Sequence, residues 1–133
     1  MCKKYMNKLF KNTVIGFLIL LIIWYCIPFF WEHLYNDEQL NLLSWHGYES
    51  FIDIYGPIPY IIAFLYIVAS LGLLSYKKWG RTMLLSLTIV TIFPIWGYGV
   101  TPPIEGSIGY IVTLAQGVIL TISYFTSINN EFN

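Results

Sequence analysis

Residues 13–31 read TVIGFLILLIIWYCIPFFW, a run of 19 residues without a charged side chain. An α-helix needs about 20 predominantly apolar residues to cross the ~30 Å hydrocarbon core of a bilayer. The run is too long for the apolar core of a secretory signal peptide, and no small-residue cleavage site follows it. We therefore predict that residues 13–31 form a membrane-spanning helix that stays in the mature protein.

Three further uncharged stretches follow the first one. Pro57 and Pro59 open the second stretch, where a helix loses no hydrogen bond to proline, and Pro94 lies near the end of the third, where a kink or an early stop is expected. Strands are disfavoured because each run is about twice as long as the ~10 residues of a barrel strand, and four segments are too few to close a barrel. The sequence therefore predicts an all-α integral membrane protein, a four-helix transmembrane bundle in a single domain over residues 1–133, with spans 13–31, 57–76, 82–98 and 107–127.

Composition agrees with this interpretation. Hydrophobic residues make up 57% of the chain and charged residues only 11%, whereas a soluble domain carries about 25% charged residues. The mean hydropathy is +0.65. Seven basic residues balance seven acidic ones, so net charge gives no reason to expect nucleic acid as a partner. Lipid is the expected solvent for most of the chain.

The basic residues predict the orientation. Every one of the seven lies before the first span or between the second and third spans, and the connections 32–56 and 99–106 contain none. By the positive-inside rule, both termini and the YKKWGR turn are cytoplasmic, and residues 32–56 form an outer loop. The three cations of that turn are fewer than the four to eight that indicate an anionic-lipid site. The basic residues are Lys3, Lys4, Lys8, Lys11, Lys77, Lys78 and Arg81.

The fourth span carries a candidate helix-packing face. Small residues recur every four positions there and share one side of a helix, which lets another helix approach closely. We expect this face to pack within the bundle, and the alternative is a homodimer or toxin-binding face. Gln116 is the only amide deep in a span, and Thr88, Thr91 or a second copy of the chain are its candidate partners. The face comprises Gly109, Thr113, Gln116, Gly117 and Thr121.

The outer loop 32–56 is the candidate partner-contact segment, since it is too long for a simple connection. Its apolar residues alternate with acids, which favours one or two short helices lying on the membrane surface. The alternative is an acidic, aromatic patch that grips a partner. The candidate contact residues are Glu32, His33, Asp37, Glu38, Trp45, His46, Glu49 and Asp53.

Motifs for chemistry are missing from the sequence. His33 and His46 lack the spacing of a zinc site, and no nucleophile elbow or phosphate-binding glycine loop is present. No ionisable residue lies within the four predicted spans, although such residues mark proton relays and ion-coupled transport. We therefore expect a protein that is not an enzyme and that holds no cofactor or metal.

The length and four-helix layout resemble those of the small multidrug transporters, but these carry an essential carboxylate in the first helix, and residues 13–31 have none. The layout also resembles that of small inner-membrane immunity proteins, which protect bacteria against pore-forming toxins, although no residue motif is shared. The leading hypothesis is a bacterial inner-membrane protein that acts by protein–protein interaction in the bilayer, as in toxin immunity or phage exclusion. The alternatives are an accessory subunit of a membrane complex and a small oligomeric channel or facilitator.

Overall fold

The computed structural model describes residues 2–43, 56–92 and 102–133, and all secondary structure in these ranges is helical. The described residues form four longer helices and four shorter helical segments. In chain order the elements are α1 (Cys2–Cys26), a 3-10 helix (Ile27–Phe30), α2 (Trp31–Leu34), α3 (Asp37–Leu43), α4 (Pro57–Leu74), α5 (Lys78–Ile92), α6 (Pro103–Phe125) and a C-terminal 3-10 helix (Ser127–Glu131).

Three helical segments are long and apolar enough to cross a membrane, namely Lys4–Leu34, Pro57–Leu74 and Pro103–Phe125. They correspond to the first, second and fourth predicted spans, so the all-helical class and three candidate membrane helices are confirmed. The third predicted span, 82–98, begins within α5 and continues beyond the described residues. Its crossing of the membrane, and with it the four-helix transmembrane bundle, stays a prediction.

The outer faces of these helices are apolar. Only 22–28% of the residues in the three most apolar windows are buried inside the protein. Ile19 on α1, Phe64 on α4 and Leu114 on α6 each expose more than half of their surface. A surface helix of a soluble protein presents a charged or polar side to water. Residues 13–31, 57–74 and 107–125 carry no charged side chain, so their exposed faces suit hydrocarbon.

The core is centred on α1. Phe10, Val14, Phe17 and Leu21 follow one another at intervals of four, three and four residues, so they form one stripe along the helix, and all four are buried. This stripe packs against α4 and α6, and the ring of Phe17 meets that of Tyr66 edge to face with centroids 6.0 Å apart. The buried residues from the facing helices include Tyr66, Ala69, Leu73, Val112 and Ile119.

The α4–α5 pair is held by backbone-to-backbone contact. A Cβ atom added to Gly80 would lie 2.6 Å from the carbonyl carbon of Gly72, closer than real Cβ atoms come to other atoms. The chain reverses at Tyr76, whose positive φ of 53° lets the amide of Lys77 donate to the Gly72 carbonyl oxygen at 2.8 Å. This 6→1 hydrogen bond is the Schellman closure of a helix. Glycine at both positions therefore sets the distance between α4 and α5.

The C-terminal tail closes one end of the helices. Phe132 packs edge-on against Phe10 and Tyr76, with ring centroids 5.9 and 5.7 Å away. Asn133 donates its amide to the Tyr76 carbonyl and accepts from the Lys78 amide, both at 3.0 Å. The start of α1, the α4–α5 turn and the C-terminal tail consequently lie at the same end.

Arg81 ties α5 to the same tail. Its Nη1 donates to the carbonyl of Ser123 at 3.0 Å and to the side-chain oxygen of Asn129. The guanidinium lies 4.2 Å from the centre of the Tyr124 ring, a cation–π contact. The last turn of α6 is therefore fixed to α5 by a charged group that is only partly exposed.

We predict that Gly80→Ala lowers the stability of the folded chain by about 1–3 kcal/mol, because the added methyl group collides with backbone and not with a flexible side chain. Thermal unfolding of the purified protein in detergent measures the effect. Gly16→Ala is the matched control, since nothing lies within 4 Å of a Cβ at Gly16. A Gly80→Ala protein that unfolds at the wild-type temperature would contradict the close approach of α4 and α5.

Candidate functional site

A buried carboxylate lies at the end of the helices opposite the tail. Glu105 is the third residue of α6 and is only 4% exposed. One of its carboxylate oxygens accepts a hydrogen bond from the indole nitrogen of Trp31, and the other accepts from the hydroxyl of Tyr35 at 3.0 Å. Glu105 therefore joins the first turn of α6 to residues at the start of α2 and just after it.

The surroundings of Glu105 suit a negative charge. The N-terminus of a helix carries partial positive charge, which stabilises an anion in its first turn, and two neutral donors complete the hydrogen bonding. Burial, followed by the hydrogen bond to Glu105, raises the pKa of Tyr35 to about 12. Tyr35 consequently remains a protonated donor throughout the physiological pH range.

Two more contacts hold this end together. The hydroxyl of Tyr25, near the end of α1, donates to the carbonyl of Pro59 in the first turn of α4 at 3.1 Å. The ring of Trp24 lies 3.4 Å from the position that a Cβ of Gly109 would occupy. The end of α1 thus meets the beginnings of both α4 and α6.

Sequence reasoning missed Glu105. The fourth span was predicted to begin at residue 107, which left Glu105 as one acid of a connecting segment, whereas α6 begins at Pro103. Residues 107–127 contain no ionisable side chain, but α6 begins four residues before them and includes Glu105 in its first turn. Proline at the first helical position and an acid in the first turn are recognised signals of a helix start. These signals would have placed Glu105 inside the helix. They could not have predicted its contact with Trp31.

Four of the eight predicted partner-contact residues lie in the described part of the outer loop, and all four are exposed. Glu32 and His33 lie on α2, and Asp37 and Glu38 lie on α3. α3 starts with a reciprocal cap, in which the Asn36 side chain accepts from the Gln39 amide and the Gln39 side chain accepts from the Asn36 amide. Placement of α2 and α3 at the membrane surface stays a prediction. The other candidates, Trp45, His46, Glu49 and Asp53, lie outside the described residues.

Within the described ranges, no group of three or more His, Cys, Asp or Glu side chains could hold a metal ion. His33 is exposed on α2, while Glu105 is buried and already accepts two hydrogen bonds. The part of the outer loop that the structure describes therefore offers exposed charge for a contact, and no assembled ligand set.

The predicted packing face of α6 divides into two sides. Thr113, Gly117 and Thr121 are exposed, and nothing lies within 4 Å of a Cβ added to Gly117. The hydroxyls of Thr113 and Thr121 donate to carbonyl oxygens of their own helix, at 2.9 and 2.8 Å. Gly109 faces Trp24, as described above. A shallow groove follows the exposed side and is lined by Tyr110, Thr113, Leu114, Gly117, Val118, Thr121 and Ile122.

Gln116 lies on the other side of α6 and is 6% exposed. Its two candidate partners on α5 are hydrogen-bonded elsewhere. Thr88 donates to the carbonyl of Leu84, and Thr91 donates to its own helix and pairs with the Tyr66 hydroxyl at 2.9 Å. Gln116 therefore belongs to the interior and not to the groove.

Comparison with known proteins adds no relative: no protein-family model matches this chain, and neither a curated protein nor a solved structure matches it. The function has to be inferred from the residues and their geometry.

Tyr35 gives a pH test of the Glu105 site. An unperturbed tyrosine has a pKa of about 10, so below that pH the hydroxyl is protonated in both the folded and the unfolded chain. Between pH 10 and 12 only the unfolded chain ionises Tyr35, and the free energy of unfolding falls as pH rises. We expect Tyr35→Phe to lose this part of the pH dependence in thermal unfolding measured from pH 9 to 12.

The control is Tyr5→Phe, because Tyr5 is 67% exposed near the start of α1. It should keep the wild-type slope. Identical slopes for the wild type and Tyr35→Phe would show that the pKa of Tyr35 is not raised in the folded chain.

Proposed function

We propose that this chain is a small, non-enzymatic protein of the bacterial inner membrane that acts by binding the membrane helix of another protein, with toxin immunity or phage exclusion as its concrete form. The observation that carries this proposal is the exposed face of α6 formed by Thr113, Gly117 and Thr121. It is the surface at which a second helix could approach the backbone closely.

The chemistry of this face favours a helix as its occupant. Membrane helices associate through close packing, which small residues permit, because apolar lipid supplies no hydrophobic driving force. Gly117 leaves the necessary space open. Since both threonine hydroxyls already donate to their own helix, an apolar partner helix can cover them without leaving a donor unpaired. Threonines lining an aqueous pore would instead direct hydroxyls towards water, so the channel or facilitator is the weaker candidate.

The outer loop supplies a second, electrostatic element. Glu32, Asp37 and Glu38 are exposed on α2 and α3, and they carry negative charge just beyond the end of α1. Complementary charge raises the rate at which partners meet and fixes their orientation. A partner with basic residues next to its inserting helix would therefore fit this chain best.

We further propose that the chain crosses the membrane four times with both termini in the cytoplasm. The basic residues support this orientation, since the ammonium of Lys11 lies 5.3 Å from the centre of the Tyr76 ring and Lys78 bonds to Asn133 at the same end. Cations collect on the cytoplasmic side of bacterial membrane proteins.

Cysteine labelling tests this orientation. In a chain with Cys2 and Cys26 replaced by serine, Glu38→Cys should react with a membrane-impermeant maleimide in intact spheroplasts, because α3 is placed outside. Ser75→Cys, in the α4–α5 turn, should react only after lysis. Labelling of both cysteines from the same side would overturn the proposed topology.

A substitution at Gly117 tests the docking face. Gly117→Leu fills the space that a partner helix needs. It should lower protection against a toxin encoded beside the gene by about fivefold to 150-fold, since overpacking an interface costs roughly 1–3 kcal/mol. Survival of toxin-challenged cells is the measurement. Gly16→Leu on α1 is the matched control, because a Cβ there also meets nothing within 4 Å.

Three results would count against the proposal. Unchanged killing in the presence of the wild-type chain removes the immunity form. Full protection by Gly117→Leu removes α6 as the docking face. Solute flux through liposomes that contain only this chain, lost in Gly117→Leu, would favour an oligomeric channel instead.

A further inference from the structure

A row of lysines follows one face of α1. Lys4, Lys8 and Lys11 are spaced by four and three residues, which places their side chains on the same side of the helix, and all three are exposed. In the sequence this row is separated from the next basic residue, Lys77, by more than 60 positions. The row alone has three cations, as does the YKKWGR turn.

The fold brings the two groups together. The ammonium of Lys11 lies over the ring of Tyr76, 5.3 Å from its centre, and that ring stacks on Phe10 of α1 with centroids 5.8 Å apart. Tyr76 directly precedes Lys77 and Lys78, which are both exposed. Five lysines from two distant segments therefore meet at one end of the helices. We name Lys4, Lys8, Lys11, Lys77 and Lys78 the lysine collar.

We propose that the lysine collar binds the phosphate headgroups of anionic lipids in the leaflet that it meets. Five cations fall within the range of four to eight that indicates such binding, and the fold brings them together from two distant segments. Trp79 follows the collar and is half exposed, as an aromatic residue at headgroup depth should be. The collar also lies at the end of helices with apolar outer faces, where headgroups are found.

The distribution of acids supports an anionic partner. Of the acidic residues in the described ranges, Glu32, Asp37, Glu38 and Glu105 belong to the opposite end. Only Glu131 lies near the collar. Burial of Tyr76 raises the pKa of that hydroxyl, and the negative charge of Glu131 raises it further. Arg81 is engaged with Ser123 and Asn129, whereas the five collar lysines are exposed and can contact lipid.

The experiment uses the purified full chain in a neutral detergent and measures thermal unfolding as lipid is added. Phosphatidylglycerol should raise the unfolding temperature in a saturable way, because a ligand of the folded state stabilises it. Phosphatidylcholine and free glycerol phosphate should not. Replacement of Lys11, Lys77 and Lys78 by glutamine should weaken the apparent affinity for phosphatidylglycerol about 100-fold, at roughly fivefold per lysine. Replacement of the same three by arginine keeps the charge and should keep the affinity.

Other causes of a rise in the unfolding temperature would give different results. Equal stabilisation by phosphatidylcholine would show a dependence on acyl chains only, and equal stabilisation by glycerol phosphate would show a site for soluble phosphate. Wild-type affinity in the glutamine variant would also overturn the proposal. If that variant does not fold, the affinity of the wild-type chain for phosphatidylglycerol is compared at low and high salt. Salt screens a contact with headgroup charge, so an unchanged affinity at high salt would overturn the proposal. No partner protein is present, so the outcome is independent of the docking face on α6.

Discussion

Hydrocarbon offers no hydrogen bonds, and this single constraint explains where polar groups lie in the protein. A backbone that crosses the bilayer must satisfy its own amides and carbonyls, which in a chain of this length means helices. The hydroxyls of Thr88, Thr113 and Thr121 obey the same rule, since each donates to a carbonyl one turn earlier in its helix. Longer-range polar contacts are found mainly at the two ends of the helices.

The two ends are closed by different chemistry. At one end, the carboxylate of Glu105 in the first turn of α6 accepts hydrogen bonds from the indole of Trp31 and the hydroxyl of Tyr35. At the other, three aromatic rings, a guanidinium and two backbone hydrogen bonds join α1, the α4–α5 turn and the tail. Between them the helices are held by apolar packing, with the paired hydroxyls of Tyr66 and Thr91 as a polar contact between α4 and α5. Polar, charged and aromatic groups therefore hold the two ends of the helices together, and apolar packing holds their middle.

The sequence predicted best those features that depend only on residues close together in the chain. The transfer of about 20 apolar residues into lipid is favourable whatever their neighbours are, so the spans 13–31, 57–76 and 107–127 were found from hydropathy. Their bounds were less exact, because α1 continues back to Cys2 through lysines that hydropathy excludes. The site was less predictable. Gln116 and Gly117 are adjacent in sequence, yet one is buried and the other exposed. The contacts of Glu105 with Trp31, or of Phe132 with Phe10, depend on which distant segments the fold brings together.

The pairing of helices has a consequence for how the protein is made. α4 and α5 touch through glycines only eight positions apart, so this hairpin can assemble as soon as both helices have left the ribosome. α1 packs chiefly against α6, which is synthesised after all the other long helices. The side of the α1 stripe that meets α6 therefore stays uncovered until α6 has been made, whereas α4 can cover its other side earlier. In the proposed membrane protein, lipid solvates that side during the delay as water could not, so α1 can stay inserted until α6 arrives.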